Sequence, residues 1–274
     1  MAEQPDKAEP TSSRRGLKFL GVLGTALLVA MATAIGTGLG SEALDLFGGD
    51  EDEGDPISYS ASEEINECGT HLFVPEEQAR GLVSGAIPTP SPIPDWEAFR
   101  SSNGGLVADA SVVQVSIQGE SSRTVTLTGI DFTVDPRHRP PGATFLVPCG
   151  DAIRGRYVVA DLDRQPVVVS GTADDPEAEL DPVDPVSGAA DSSYKPISFP
   201  WTVSVTDPLV LQIVASTDRC YCTWRAEIAW SSGEQTGVIP IDNDGSGYTV
   251  VGSQGAKAFT NTGTGRSVWA ETPG

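Results

Sequence analysis

An uncharged run of 23 residues, Phe19 to Ser41, follows Lys7, Arg14, Arg15 and Lys18 and precedes Glu42, Asp45, Asp50, Glu51, Asp52, Glu53 and Asp55, with no base among those acids. At about 1.5 Å per residue a helix of this length spans ~34 Å, enough for the ~30 Å hydrocarbon core of a bilayer. Bases on one flank and acids on the other predict a cytoplasmic N-terminus and an outside C-terminal part. The expected layout is a cytoplasmic tail 1–18, a transmembrane helix 19–41, an acidic linker 42–56, a β-domain 57–251 and a flexible C-terminal tail 252–274 rich in Gly, Ser and Thr. The alternative is an export signal: Ser13-Arg14-Arg15 leads into a Gly- and Ala-rich stretch, and cleavage after Ala32-Thr33-Ala34 would give a secreted protein. The apolar run continues past that point through Ile35 and Leu39, which favours an uncleaved anchor. Ala32, Gly36 and Gly40 also have the small-xxx-small spacing that lets two membrane helices approach closely.

The formal charge of -21 excludes nucleic acid and anionic lipid surfaces as partners, because like charges repel over the Debye length. All four cysteines, Cys68, Cys149, Cys220 and Cys222, lie beyond the apolar run, where the compartment permits oxidation, so two disulfides are expected. Cys220-Tyr221-Cys222 has no matching C-x-x-C or His pair, so the spacing does not make a zinc site.

Beyond Ala110 the apolar period is two. Val113, Val115 and Ile117 alternate with Gln114, Ser116 and Gln118, and after the Gly119–Ser122 loop Val125 and Leu127 alternate with Thr124, Thr126 and Thr128, which reads as a β-hairpin. At Gly129 the phase slips to Ile130, Phe132 and Val134, the signature of a β-bulge. Further strands are expected at 58–62 (an edge), 144–148, 156–162, 167–170, 201–206, 209–216, 221–230 and 237–241. On the 221–230 strand Cys220, Cys222, Trp224, Ala226, Ile228 and Trp230 share one face. Same-face neighbours on a strand stand roughly 6.5–7 Å apart, so each cysteine is expected to reach a different element, Cys68 and Cys149 being the remaining partners. Asp95 caps a short helix carrying Trp96, Phe99 and Arg100, stopped at Asn103-Gly104. Alternate prolines at Pro88, Pro90, Pro92 and Pro94 enforce an extended strap along the surface, and a long acidic loop runs from Asp174 to Asp191. Many short strands with 30 Gly and 21 Pro predict an all-β fold, an antiparallel β-sandwich of immunoglobulin-like or jelly-roll layout.

Candidate chemistry is sparse. Asp242-Asn243-Asp244-Gly245-Ser246-Gly247 offers alternate oxygen ligands, making Asp242, Asp244 and Ser246 weak calcium candidates. The twelfth position, however, is Ser253 instead of Glu, and a hairpin turn is the preferred reading. Ser192-Ser193-Tyr194-Lys195 matches S-x-x-K, but Pro196 denies it the helix that motif needs. A Ser-His-Asp triad can draw only on His71 or His138, and Asp161 and Asp163 read as a strand rim before they read as an acid/base pair. No catalytic residue and no cofactor are expected.

At Cys149-Gly150, Asp161-Leu162-Asp163, Phe199-Pro200-Trp201, Asp207-Pro208, Cys220-Tyr221-Cys222-Thr223-Trp224, Trp230-Ser231-Ser232-Gly233 and Gly237 to Asp242, together with Cys68 and Val74-Pro75, the chain resembles uncharacterised single-pass membrane proteins of Streptomyces and related actinomycetes. The resemblance implies a β-rich extracytoplasmic domain on a single anchor and carries over no catalytic residue. Some members have a cytoplasmic DNA-binding domain before the anchor, where this chain has 18 residues. The expected function is a binding or structural module at the cell envelope, its partner an envelope component or protein. A sensory ectodomain of an envelope signalling pair and an envelope glycoside hydrolase are the alternatives.

Overall fold

The computed structural model describes residues 55–65, 70–90, 93–120, 123–147, 153–154, 156–171, 179–180, 195–262 and 268–272. The tail 1–18, the apolar run 19–41, the linker to residue 54, Cys68, Cys149, most of the 174–191 acidic loop and Ser192 lie outside them. By its contacts the chain divides into Met1–Asp52 and Glu53–Gly274, and the description below concerns the second unit. Among the described residues no helix is long and apolar enough to cross a membrane.

The unit is built from strands. In chain order the elements are β1 (Ile57–Glu63), β2 (His71–Pro75), α1 (Glu76–Ser84), α2 (Trp96–Ser102), β3 (Leu106–Ala108), β4 (Ala110–Gly119), β5 (Val125–Arg137), β6 (Gly142–Leu146), β7 (Ile153–Arg154), β8 (Tyr157–Asp161), β9 (Val168–Gly171), β10 (Glu179–Leu180), β11 (Lys195–Pro196), β12 (Trp201–Val203), β13 (Leu209–Ser216), β14 (Tyr221–Ser232), β15 (Gln235–Ile241), β16 (Tyr248–Val251), β17 (Lys257–Asn261) and β18 (Trp269–Glu271). A six-stranded sheet runs β1-β4-β13-β8-β9-β11, and a ten-stranded sheet runs β12-β5-β14-β16-β3-β2-β6-β17-β18 with β15 also on β14; β7 and β10 pair separately. The expected edge strand is there, as β1.

The two large sheets share one core. Val113, Val115 and Ile117 of β4 and Leu211 and Ile213 of β13 meet Leu127 of β5, Trp224 and Ile228 of β14 and Ile239 of β15, all 0–1 % exposed. Burial of each such side chain contributes about 1.5–3 kcal/mol. A second core lies where the far half of the ten-stranded sheet meets the helices, with Leu72, Val74, Phe145 and Phe259 under Leu82, Trp96, Phe99 and Trp269. Trp269 stands edge-on to Phe145 at 4.9 Å between centroids, and its Nε1 donates to Thr89 Oγ1 at 3.1 Å, which ties the proline-rich strap down beside Ile87 and Ile93.

Several expectations change. The 113–128 hairpin does not form: β4 pairs with β1 and β13, whereas β5 pairs with β12 and β14 in the other sheet. Both strands still bury the same residues, because neighbours in a hairpin and strands facing each other across a core show identical alternation. The layout is also not purely antiparallel, since β8–β13, β3–β16 and β6–β17 are parallel pairs. Long crossings of the chain between those partners permit this, and the all-β fold has mixed sheets. The C-terminal tail, expected to be flexible, supplies β17 and β18 and buries Val268 and Trp269.

The helix α2 forms as expected, with Asp95 Oδ1 accepting from the Ala98 amide at 2.8 Å and the turn closing on Asn103 and Gly104 at φ +61. The bulge is also present. Gly129 faces Ala229 while Leu127 faces Trp230, so Thr128 is the extra residue. Helix α1 was not expected. Its signals are Glu76 and Glu77 in the first turn, buried Ala79 and Leu82 three apart, and a left-handed Gly85 after the last turn.

Candidate functional site

The Asp242–Gly247 segment is not a hairpin turn. Ile241 of β15 faces Ala226 and Tyr248 of β16 faces Trp224, so β15 and β16 run along the same edge of β14 and the six residues between them bulge out opposite Arg225 alone. Asn243, Asp244, Gly245 and Gly247 take positive φ of 50, 54, 84 and 76° to make the excursion. The Gly247 amide donates to Asp242 O at 2.6 Å and the Ser246 hydroxyl to Asn243 O at 2.7 Å. The Arg225 guanidinium donates to the carbonyls of Gly245 at 3.1 Å and Ser246 at 3.4 Å. A cationic side chain of the protein thus satisfies the loop's outward carbonyls, and the weak calcium candidates Asp242, Asp244 and Ser246 belong to a loop braced from within. Among the described residues no three His, Cys, Asp or Glu side chains group as a metal site.

The cysteines also depart from expectation. Cys220 and Cys222 are joined to each other, with Cα atoms 5.4 Å apart, instead of reaching two other elements. The reason is local. Cys220 precedes β14, and the Thr217 hydroxyl accepts from the amides of Arg219 and Cys220 at 3.2 and 2.8 Å, curling the chain before it extends. The 5.4 Å between the two Cα atoms is below the strand value and within disulfide range. Beyond the curl the expected face holds: Cys222, Trp224, Ala226 and Ile228 are buried.

Asp161 and Asp163 are taken up in loop structure. Asp163 Oδ1 accepts from Thr217 Oγ1 and Oδ2 from the Asp218 amide, both at 2.8 Å, while Asp161 Oδ1 accepts from the Asp163 amide at 3.1 Å and Oδ2 meets Arg164 Nε at 2.8 Å. Each carboxylate oxygen has a partner within the loop, and the pair fixes the turn beside the disulfide. His138 is exposed. His71 does have an acidic partner, Asp109 Oδ2 at 3.1 Å from Nδ1, and among the described residues no serine bonds its buried Nε2.

Glu63 is a titratable group that the sequence did not single out. On β1 it faces Val113 across the ladder, so its carboxylate points to the core side at the open end of the strand, where the Ser111 hydroxyl donates to it at 3.0 Å. Burial raises its pKa above the ordinary 4.5, opposed by the Ser111 hydrogen bond and the charge of Arg100, with Glu97 adding to the rise. The Tyr248 phenol is likewise raised above 10.0, first by burial and then by the charge of Glu63.

One concave feature that a ligand can enter is a groove of about 860 Å³ between α1 and the face of β6, β17 and β18. Ala143 and Phe259 make its floor and Ala79 and Val83 its helical wall. Its rim carries Glu76 and Arg80 from α1 and the Lys257–Glu271 ion pair, 3.1 Å, from the sheet. The groove runs along α1 from Glu76 to Ser84, over the part of the sheet where Ala143 and Lys257 face each other and beside the aromatic row of Phe145, Phe259 and Trp269. Sequence reading did not find this site because both its walls, α1 and β17, fell in segments without a strand or helix assignment.

Comparison with protein-family models, with curated proteins and with solved structures returns no match to this chain.

Proposed function

We propose that the chain is a single-pass membrane protein whose extracytoplasmic β-sandwich is a ligand-binding module of the cell envelope. The observation that carries the reading is the groove between α1 and the β6–β17–β18 face: about 860 Å³, apolar at its floor and polar at its rim, within the roughly 300–1,000 Å³ usual for small-molecule sites. The apolar run 19–41 with bases before it and acids after it supports the anchor and the orientation. The core shared by the two large sheets supports the sandwich.

The test uses the full chain in nanodiscs of neutral lipid, incubated with extracts of envelope material and washed. The wild type is expected to retain an envelope component that Val83→Trp, which fills the groove from its wall, loses. Equal retention by both proteins would overturn the assignment of the site, and no retention by either would overturn the binding reading. Intact mass of the membrane-extracted protein checks the anchor, since a chain beginning at Ile35 would identify a cleaved signal.

A further inference from the structure

We infer that the groove takes an amphiphile with one apolar body and an anionic head, the body lying on Ala143 and Phe259 and the head on Arg80; this rests on the binding reading above and names its ligand class.

Three observations carry it. The first is what the floor offers. It is a sheet face and not a sheet edge: Ala143 and Lys257 are opposite one another in the β6–β17 ladder, and Phe259 is paired to Glu271 of β18. The backbone donors and acceptors of β6 and β17 are spent on their neighbours in the sheet, so the floor itself offers an extended peptide no ladder to join. What lines the groove between its charged residues is side-chain carbon, half-buried at Val83 and nearly covered at Ala79, Ala143 and Phe259. Such a lining recognises an aliphatic body and gives no directional contact along its length.

The second is the charge at the rim. Four charged side chains border the groove. Lys257 and Glu271 neutralise each other through two contacts, 3.1 and 3.2 Å. Glu76 stands in the first turn of α1, where the unpaired amides of the helix start offset its negative charge. Arg80 is exposed and has neither a hydrogen bond nor an ion pair among the described residues. In a chain of net charge -21 it is the rim cation left without a partner. A planar guanidinium matches a carboxylate or phosphate oxygen pair.

The third is the position of Arg80 relative to the apolar wall. Arg80 lies beside Ala79 and one turn from Val83 and Ser84, all of which line the groove. A head group held by Arg80 therefore has the apolar wall starting beside it, with no polar gap to cross.

The probe is octanoate, with octan-1-ol and octylammonium as uncharged and cationic controls of the same body. The full chain in neutral-lipid nanodiscs, carrying labelled Ala and Val methyl groups, is titrated with each, and the methyl shifts of Ala79, Val83 and Ala143 are read. Because the readout belongs to the groove, uptake of probe by the nanodisc lipid does not imitate it. Octanoate is expected to shift all three methyls saturably, octan-1-ol to bind about tenfold more weakly, and octylammonium more weakly still. Arg80→Glu should lose octanoate preference while its far-UV spectrum and melting temperature stay as in the wild type, and Arg80→Lys should restore part of it. Equal response to the three probes, or octanoate binding unchanged in Arg80→Glu, overturns the anionic head. Failure of all probes to move the methyls overturns the amphiphile. In either case, an envelope component still retained by the wild type and lost by Val83→Trp keeps the binding reading standing, whereas its absence as well ends both.

Discussion

The Asp109 carboxylate joins His71 to Ser253: Oδ2 lies 3.1 Å from His71 Nδ1, and Oδ1 accepts from the Ser253 amide at 2.8 Å. Asp109 sits between β3 and β4, where the chain leaves the ten-stranded sheet for the six-stranded one, and it does so at φ +65. Its own amide donates to Val251 O at 3.0 Å and its carbonyl accepts from the Thr217 amide at 2.8 Å. One residue in left-handed conformation therefore fastens both sheets and the turn before the disulfide.

Asp109→Ala removes both carboxylate contacts and places a Cβ with no compensating polar group in the left-handed region, so a loss of about 2–4 kcal/mol is expected. Asp109→Gly should recover ~1 kcal/mol of that, since glycine adopts positive φ freely. Urea unfolding of the three proteins checks the order; an alanine variant as stable as the glycine one would show that the backbone at this corner is not constraining.

The Cys220–Cys222 bridge closes a loop of only three residues, for which the chain-entropy model gives about 1–2 kcal/mol, far below the ~4–5 kcal/mol of a bridge closing a loop of 70 residues or more. The Cys220→Ala, Cys222→Ala double variant is expected to melt only a few degrees below the wild type. Non-reducing peptide mapping should return the two cysteines in one peptide that changes mass by two hydrogens on reduction. A large fall in melting temperature, or a cross-linked peptide pair containing either cysteine, would refute the local bridge.

Glu63 gives a pH dependence with a definite sign. Its folded pKa is raised by burial above 4.5, so between that value and the folded pKa the native state binds more protons than the unfolded one. Stability is greatest with respect to this group at low pH and falls as pH rises through the window to a constant deficit above it. Glu63→Gln keeps an acceptor for the Ser111 hydroxyl and removes the buried charge. It is expected to raise stability at pH 7 and to flatten the curve over the window, and chemical denaturation from pH 4 to 8 measures both. Lower stability of the variant at pH 7 would mean that attraction to Arg100 outweighs burial.

Arg225→Ala removes the guanidinium contacts to Gly245 and Ser246 at one exposed loop, a cost of about 0.5–1.5 kcal/mol. Amide exchange should speed up across 242–247 and remain slow at Ile228 and Trp224. Exchange that stays slow in the loop would show that its positive-φ turn is self-sufficient.

How far the sequence went can be seen strand by strand. Alternation located β13 at both ends, Leu209–Ser216, and named the buried face of β14, because those features depend only on which side chains leave water. The Asp95 cap and the Gly129 phase slip were equally local, being properties of a few adjacent residues. Nothing local distinguishes a hairpin from a crossing between sheets, so β4 and β5 were legible as strands and not as members of different sheets. The same limit applies to Asp242–Gly247, whose turn chemistry was plain while its place as an excursion along one edge of β14 came from long-range register. Cys220 and Cys222 meet at the start of β14 with 5.4 Å between their Cα atoms, a spacing shorter than alternation along an extended strand implies. The groove is wholly tertiary. Ala143, Phe259 and Arg80 are far apart in the chain, and only the pairing of β6 with β17 and the packing of α1 over them bring them to one surface. Periodicity fixes which face of an element avoids water, whereas its neighbour is chosen by packing across the whole chain.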